Sequence, residues 1–247
     1  MKSFPTNPNA PNTTKPVQLF DKFRAVQYAL NMQSEITVEV LCDKDTLFKL
    51  LQSNGFREIA RLLIDDYYYT HLANFATASP KELVSNSFII RCFRCNDFKS
   101  KARSILRTQL VYKKKEFDAH DKVISEQKFA TDVKDTSIAN EIFQQSGLTN
   151  WVTKSSFGYG FKKGEKYIFV QDVEDIGLFI EIEQFPSQQG TKEEILDELV
   201  EFINEMNIPV GNNYHESIAY RLHLKRNLKV KFGFCPDIFG VSPDFVN

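Results

Sequence analysis

Charged residues interrupt apolar runs in several segments of this 247-residue chain that otherwise alternate like β-strands. Five such residues are Glu39 in ITVEVL, Arg91 in FIIRCF, Lys113 in LVYK, Glu126 in VISEQKF and Lys154 in WVTKSSF. One residue of this kind is typical of a strand face exposed to solvent. Several on separate strands favour a common cause, a barrel whose interior carries mixed Glu, Lys and Arg side chains.

The segment 167–185 (YIFVQDVEDIGLFIEIEQF) carries the most informative strand. Glu181 and Glu183 are two residues apart, so both side chains face the same side of a strand, with apolar residues facing the other. Two buried carboxylates need compensating charge. Lysine, arginine or a hard divalent metal ion, which prefers oxygen ligands, could supply it. A half-buried strand with both glutamates in solvent remains the alternative.

Short connections between the predicted strands favour an antiparallel sheet or barrel with helices outside, an α+β fold. The clearest helix is predicted over 192–207, with Thr191 as its N-cap, and a second over 43–56. Residues 1–34 are expected to be an N-terminal extension, partly disordered or a short helix. The main domain is expected over 35–226, followed by an aromatic C-terminal tail over 227–247.

Composition excludes several classes of protein. The formal net charge is −1, so a general nucleic-acid coat protein is disfavoured. No apolar run approaches the ~20 residues needed to cross a bilayer, and the N-terminus lacks the apolar core of a secretory signal. A cytoplasmic location is expected, with organellar import as a weaker alternative. Cys92 and Cys95 form a C-x-x-C without a second pair, which disfavours a zinc site.

The stretch Asp172–Glu183 (DVEDIGLFIEIE) resembles a motif of the CYTH superfamily, the triphosphate tunnel metalloenzymes, which includes class IV adenylyl cyclases and thiamine triphosphatases. Other segments at matching positions resemble further strands of that family, and the resemblance covers roughly 35–226. These segments include Asp66-Tyr67-Tyr68, Ile90-Arg91, Val111-Tyr112-Lys113, Glu126, Val152-Thr153-Lys154 and Ser217-Ile218. The resemblance implies an antiparallel eight-stranded β-tunnel that binds a triphosphate and Mg²⁺ or Mn²⁺.

The resemblance also implies roles for individual residues. Metal ligands would be Glu39, Glu181 and Glu183, and phosphate-binding residues would be Arg91, Lys113 and Lys154. Catalytic roles would fall to Glu39, Glu126 and Asp172.

The first strand departs from the family pattern, which is E-x-E-x-K. One register, Thr37-Val38-Glu39-Val40-Leu41, retains only Glu39. A shifted register, Glu35-x-Thr37-x-Glu39, places two carboxylates on one face but still lacks the lysine. The arginines expected near Glu126 and Lys154 are replaced by Ile124 and Ser156. Both the metal-binding and the phosphate-binding sets are therefore reduced.

Three functions stay open at this stage. The first is metal-dependent hydrolysis of a triphosphate-containing substrate: inorganic triphosphate, thiamine triphosphate or a nucleoside triphosphate. The second is a weakened or inactive CYTH-like protein that binds a phosphorylated ligand or serves as a subunit of an assembly. The third is an adenylyl cyclase. The expected partner is a small triphosphate, with the 5′-triphosphate end of an RNA as a lesser variant and a homodimer or protein partner through the terminal extensions.

Overall fold

The computed structural model describes residues 34–96, 103–117, 119 and 123–232. The predicted N-terminal extension up to residue 33, and the predicted tail from residue 233, lie outside these residues. No helix in the described part is long and apolar enough to cross a membrane.

The chain forms eight strands and five helices within the described residues. In chain order they are β1 (Glu35–Glu39), α1 (Lys44–Ser53), β2 (Arg57–Thr70), α2 (Pro80–Val84), β3 (Asn86–Asn96), β4 (Arg103–Phe117), β5 (Val123–Val133), α3 (Thr136–Gln145), β6 (Thr149–Lys163), β7 (Lys166–Val173), β8 (Gly177–Glu183), α4 (Lys192–Glu205) and α5 (Ile218–Phe232). Helix α5 includes the first residues of the predicted aromatic tail.

All eight strands belong to one antiparallel sheet in the order β1-β8-β7-β6-β2-β3-β4-β5. The sheet is strongly curled into a half-barrel, so it has a concave and a convex face. The predicted α+β class and its eight antiparallel strands are confirmed. Successive side chains of a strand point to opposite faces, so each strand supplies one set of residues to each face.

The convex face is apolar and covered by helices. Ile36 and Val38 of β1 are fully buried there, together with Leu47 of α1 and Leu199 of α4. Helix α3 packs its Ala139 against the outer side of β2 and β3. Asp43 and Thr191 cap the N-termini of α1 and α4 through their side-chain oxygens, and Thr191 is the cap predicted for α4.

One end of the concave face is also filled with apolar side chains. Leu83 of α2 and Leu222 of α5 pack there against Tyr68, Ile89 and Val152 of the sheet, and Leu83, Ile89 and Leu222 are completely buried. Ser79 and Glu82 form a capping box at the start of α2, a short helix that the strand and helix patterns did not predict. Helices α2 and α5 therefore limit how far a ligand could extend along the concave face.

The connection between α4 and α5 runs along the free edge of β1. The amides of Thr37 and Leu41 donate to the carbonyl oxygens of Tyr214 and Pro209, and the amide of Gly211 donates to the carbonyl of Glu39. This connection occupies backbone groups that β1 would otherwise leave unpaired.

Two glycines of β6 allow aromatic side chains of the neighbouring strand β7 to lie directly against the β6 backbone on the concave face. A Cβ atom at Gly158 would stand 2.5 Å from Phe169 Cζ, and one at Gly160 would stand 2.5 Å from the Tyr167 hydroxyl oxygen. Real Cβ contacts are essentially never this short. The aromatic rings therefore require glycine at both positions.

Replacing Gly158 by alanine is expected to destabilise the protein by about 1–3 kcal/mol, the usual range for overpacking a well-packed site. Gly211→Ala is the matched control, because its new Cβ would meet only Glu39 atoms at 3.8 and 3.9 Å. Urea unfolding monitored by circular dichroism measures both variants. Equal stability of Gly158→Ala and the unmodified protein would contradict the proposed close packing.

Candidate functional site

A cleft of about 470 Å³ lies on the concave face. Four basic residues line it, Arg91, Lys113, Lys115 and Lys154, together with Glu35 and Glu181. They come from β3, β4, β6, β1 and β8. The antiparallel registers bring these distant parts of the sequence to one place, and the cleft therefore combines cationic nitrogens with carboxylate oxygens.

Asp66 of β2 lies between two of these cations. It is directly opposite Arg91 on β3 and Lys154 on β6. Arg91 donates through Nε to Asp66 Oδ1 at 2.6 Å and through Nη2 to Oδ2 at 2.8 Å, and Lys154 Nζ lies 3.0 Å from Oδ2. Burial alone would raise the pKa of Asp66, but Arg91 and Lys154 outweigh it and hold that pKa well below its ordinary value.

A second charged group joins β4 and β5. Lys113 Nζ lies 2.6 Å from Glu126 Oε1, and Lys115 Nζ lies 3.2 Å from Oε2. Burial opposes ionisation of Glu126, yet the two lysines lower its pKa clearly. A carboxylate held in this way is a weak proton acceptor, so Glu126 is suited to holding the two lysines in place.

The negative charges of the carboxylates on β1 and β8 are less fully balanced by nearby cations. Glu35 and Thr37 lie directly opposite Glu183 and Glu181 on β8. Glu183 Oε1 is 3.6 Å from Lys128 Nζ of β5. Burial raises the pKa of Glu35 to about 7, because Lys113 offsets only part of the effect of burial and of the carboxylates of Glu126, Glu181 and Glu183.

Strand β1 spans Glu35–Glu39, the residues of the shifted register considered from the sequence, and Leu41 lies beyond its end. Glu35, Thr37 and Glu39 share one face with Glu181 and Glu183. Glu35 thus enters the site, although the predicted set of site residues did not include it.

Glu39 is bound to a cation from α5. Arg221 donates to its two carboxylate oxygens at 2.7 and 2.6 Å. Glu39 is the fifth residue of the E-x-E-x-K register on β1, where the family pattern has lysine. The structure therefore places Glu39 in an ion pair with Arg221 and leaves Glu35 as the β1 carboxylate that lines the cleft.

Asp172 lies on the opposite face of the sheet from the predicted site. Its neighbour Gln171 accepts from Lys154 Nζ at 2.6 Å on the concave face, so Asp172 faces outward. There it binds Lys44 of α1 at 3.1 Å. Strand alternation therefore separates Asp172 from the other seven predicted site residues, and a catalytic role in the cleft does not fit its position.

Other residues of the site were not predicted from the sequence. Asp66 was noted only within a family-like strand motif, although two carboxylates, Asp65 and Asp66, before three tyrosines in a strand were an available signal. Glu216 lines the 470 Å³ cleft and also an adjacent one of about 340 Å³ with Glu126. It comes from the connection along β1, whose irregular backbone gives no periodic signal. Ser217, noted with Ile218, lies at the start of α5 and lines the larger cleft.

No family model matches the chain. One curated relative, a Methanocaldococcus jannaschii protein named "putative adenylate cyclase", is 25% identical over 187 residues, which cover 75% of this chain and 95% of the relative.

Several solved structures have a similar fold. A Pyrococcus horikoshii protein superposes with a TM-score of 0.57 at 17% identity, covering 78% of this chain and 98% of its own. A Hippeastrum protein, described as an adenylyl cyclase candidate with a dominant triphosphatase activity, gives 0.51 at 15% identity, covering 79% and 96%. These comparisons support a CYTH-like fold.

Glu35 should make stability depend on pH. The unfolded carboxyl ionises near 4.5 but the folded one near 7, so the folded state holds more protons between these values. This contribution is present below pH 4.5 and is lost as pH rises through about 7. Glu35→Gln removes it, so the variant should gain stability relative to the unmodified protein between pH 5 and pH 8.

Urea unfolding at pH 5, 6, 7 and 8 tests this expectation. The matched control is Glu201→Gln, which changes an exposed residue of α4. A difference between Glu35→Gln and the unmodified protein that stays constant across the four pH values would rule out the raised pKa.

Proposed function

We propose that the protein is a metal-dependent hydrolase of a triphosphate-containing substrate, acting in the cleft on the concave face. The observation that carries this proposal is the joint presence of four basic side chains and the carboxylates of Glu35 and Glu181 around one cleft. A chain of phosphates requires several cations close together, and hydrolysis requires that added negative charge be stabilised as the bond breaks.

The basic residues would bind the phosphate oxygens. Arg91 has five N–H groups and Lys154 three, and Asp66 and Gln171 use only part of them. The remaining N–H groups can donate to a phosphate. Lys113 and Lys115 share the single charge of Glu126, so this group keeps a net positive charge as well.

The carboxylates fit a hard divalent cation by their chemistry. Glu35, Glu181 and Glu183 offer only oxygen donors, which Mg²⁺ and Mn²⁺ prefer. Burial is the main cause of the raised pKa of Glu35, and the carboxylates of Glu126, Glu181 and Glu183 add to it, while Lys113 offsets only part of the effect. Within the described residues no three such groups are already converged as a metal site, so binding would require these side chains to move closer together. The ion would neutralise charge on the phosphate oxygens.

The choice of hydrolysis over cyclisation does not rest on the relatives, whose descriptions name both activities. The Methanocaldococcus jannaschii relative carries the name of a cyclase, whereas the Hippeastrum structure, with a similar fold, is described by its dominant triphosphatase activity. Hydrolysis is favoured because it demands less of the site than cyclisation does. Water is its attacking group, whereas a cyclase must hold a ribose hydroxyl in a precise position. We also place the protein in the CYTH superfamily, because its sequence is similar to that of the first relative and its fold is similar to that of the second.

A binding protein without activity is the second candidate. Thr37 offers a neutral oxygen where the family pattern has its second glutamate, and Glu39, at the place of the patterned lysine, is already paired with Arg221. Both changes reduce the catalytic set while leaving the basic residues of the cleft in place. Such a protein would bind triphosphate but release no product.

The test is phosphate and pyrophosphate release from inorganic triphosphate, thiamine triphosphate and ATP, with Mg²⁺ or Mn²⁺. Phosphate release is expected, and Glu181→Ala/Glu183→Ala should lower it at least about 100-fold, because several kcal/mol of charge stabilisation would be lost. The control, Asp197→Ala/Glu201→Ala, removes the same charge from the exposed face of α4 and should stay within about twofold.

The products separate the candidates. Pyrophosphate release from ATP would identify a cyclase. Binding of triphosphate without release of any product, with both metals, would identify the binding protein and contradict hydrolysis.

A further inference from the structure

Asp66 has a geometry that none of the other charged residues of the cleft shares. Its side chain is completely buried and touches two cations from the two strands that flank β2. Arg91 and Lys154 face each other across this one carboxylate. Without it, two positive charges would be buried side by side, which is strongly unfavourable.

Each cation is fixed in direction as well as in charge. Two parallel N–H donors of Arg91 engage the two oxygens of Asp66, which sets the plane of the guanidinium group. Lys154 is held by Asp66 Oδ2 and by Gln171 Oε1, which leaves one of its three protons for another acceptor. Both cations nevertheless line the cleft.

We propose that Asp66 is a positioning residue that holds Arg91 and Lys154 as a rigid pair for one phosphate group of the ligand. The inference rests on the proposed triphosphate binding and extends it. Asp66 itself does not touch the ligand, because its carboxylate oxygens are occupied by the two cations.

Positioning by Asp66 and attraction by net charge predict opposite effects of Asp66→Asn on anion binding. Asp66→Asn makes the cleft more positive by one charge, so attraction by net charge alone would tighten anion binding. Positioning predicts weaker binding. The amide cannot anchor the guanidinium group by two charge-assisted bonds, and Lys154 would lose its nearest carboxylate.

The variant should also acquire a pH dependence. The groups that face Lys154 are Asp66, Tyr68, Arg91, Gln171 and Glu181. Burial lowers the pKa of Lys154, but Asp66, with smaller contributions from Tyr68 and Glu181, outweighs burial and the nearby Arg91 and keeps it above its ordinary value. In Asp66→Asn the pKa of Lys154 should fall, so binding should weaken further as pH rises.

The experiment is calorimetric titration of inorganic triphosphate, in EDTA, from pH 7 to pH 10. Asp66→Asn should bind at least about tenfold more weakly than the unmodified protein at pH 7, with a loss that grows toward pH 10. Asp66→Glu, which restores the charge, should recover part of the affinity at high pH.

Asp65→Asn is the matched control. Asp65 is the next residue of the same strand, is also buried and pairs with Arg94, but it faces the convex side. It should bind triphosphate within about twofold of the unmodified protein at every pH. Its behaviour separates loss of a buried aspartate charge in β2 from loss of the pair in the cleft.

Gln171→Leu keeps the proposal testable if Asp66→Asn does not fold. It removes one acceptor from Lys154 without changing charge, and should weaken binding about fivefold, the equivalent of one hydrogen bond. Equal or tighter binding by Asp66→Asn, or an unchanged affinity of Gln171→Leu, would overturn the positioning role while leaving triphosphate binding intact. If the unmodified protein binds triphosphate only with Mg²⁺, the same variants are compared with Mg²⁺. Absence of binding by the unmodified protein both in EDTA and with Mg²⁺ would instead overturn the proposed function, and the positioning role with it.

Discussion

Buried charge is tolerated on the concave face because neighbouring strands place opposite charges within ion-pair distance. Asp66 joins Arg91 and Lys154 across three strands, and Glu126 joins Lys113 and Lys115 across two. Each group leaves a net positive charge, so the same contacts that permit burial also leave the face able to attract an anion. The architecture of the cleft depends on these two groups, because the basic residues could not otherwise be held away from solvent.

The two faces of the sheet contribute differently to the fold. The convex face supplies apolar burial under α1, α3 and α4, and needs no ligand to be stable. The concave face carries the charges and is closed at one end by α2 and α5. Most of the buried charge thus lies on one side of the sheet, and the other side supplies most of the apolar burial.

Much of the strand pattern could be predicted from the sequence, since its alternation and charged interruptions are local signals. Arg91, Lys113, Lys154 and Glu181 were predicted, and the structure brings them to one cleft. Asp172 was misplaced because a motif match does not reveal which face a residue occupies, whereas a shift of one residue along a strand reverses it. Glu35 and Glu216 were missed for a different reason. The register of β1 is decided by pairing with β8, and the connection that carries Glu216 has no periodicity to read.

The connection that runs along β1 has a consequence for association between molecules. An open sheet exposes backbone donors and acceptors at its first and last strands, and these invite pairing with another chain. At β1 the carbonyl oxygens of Pro209 and Tyr214 and the amide of Gly211 already use those groups. The other edge, β5, carries Glu126, Lys128 and Asp132, whose charges oppose edge-to-edge pairing with a strand of another molecule. Both edges of this half-barrel sheet thereby oppose pairing with the edge strand of another molecule.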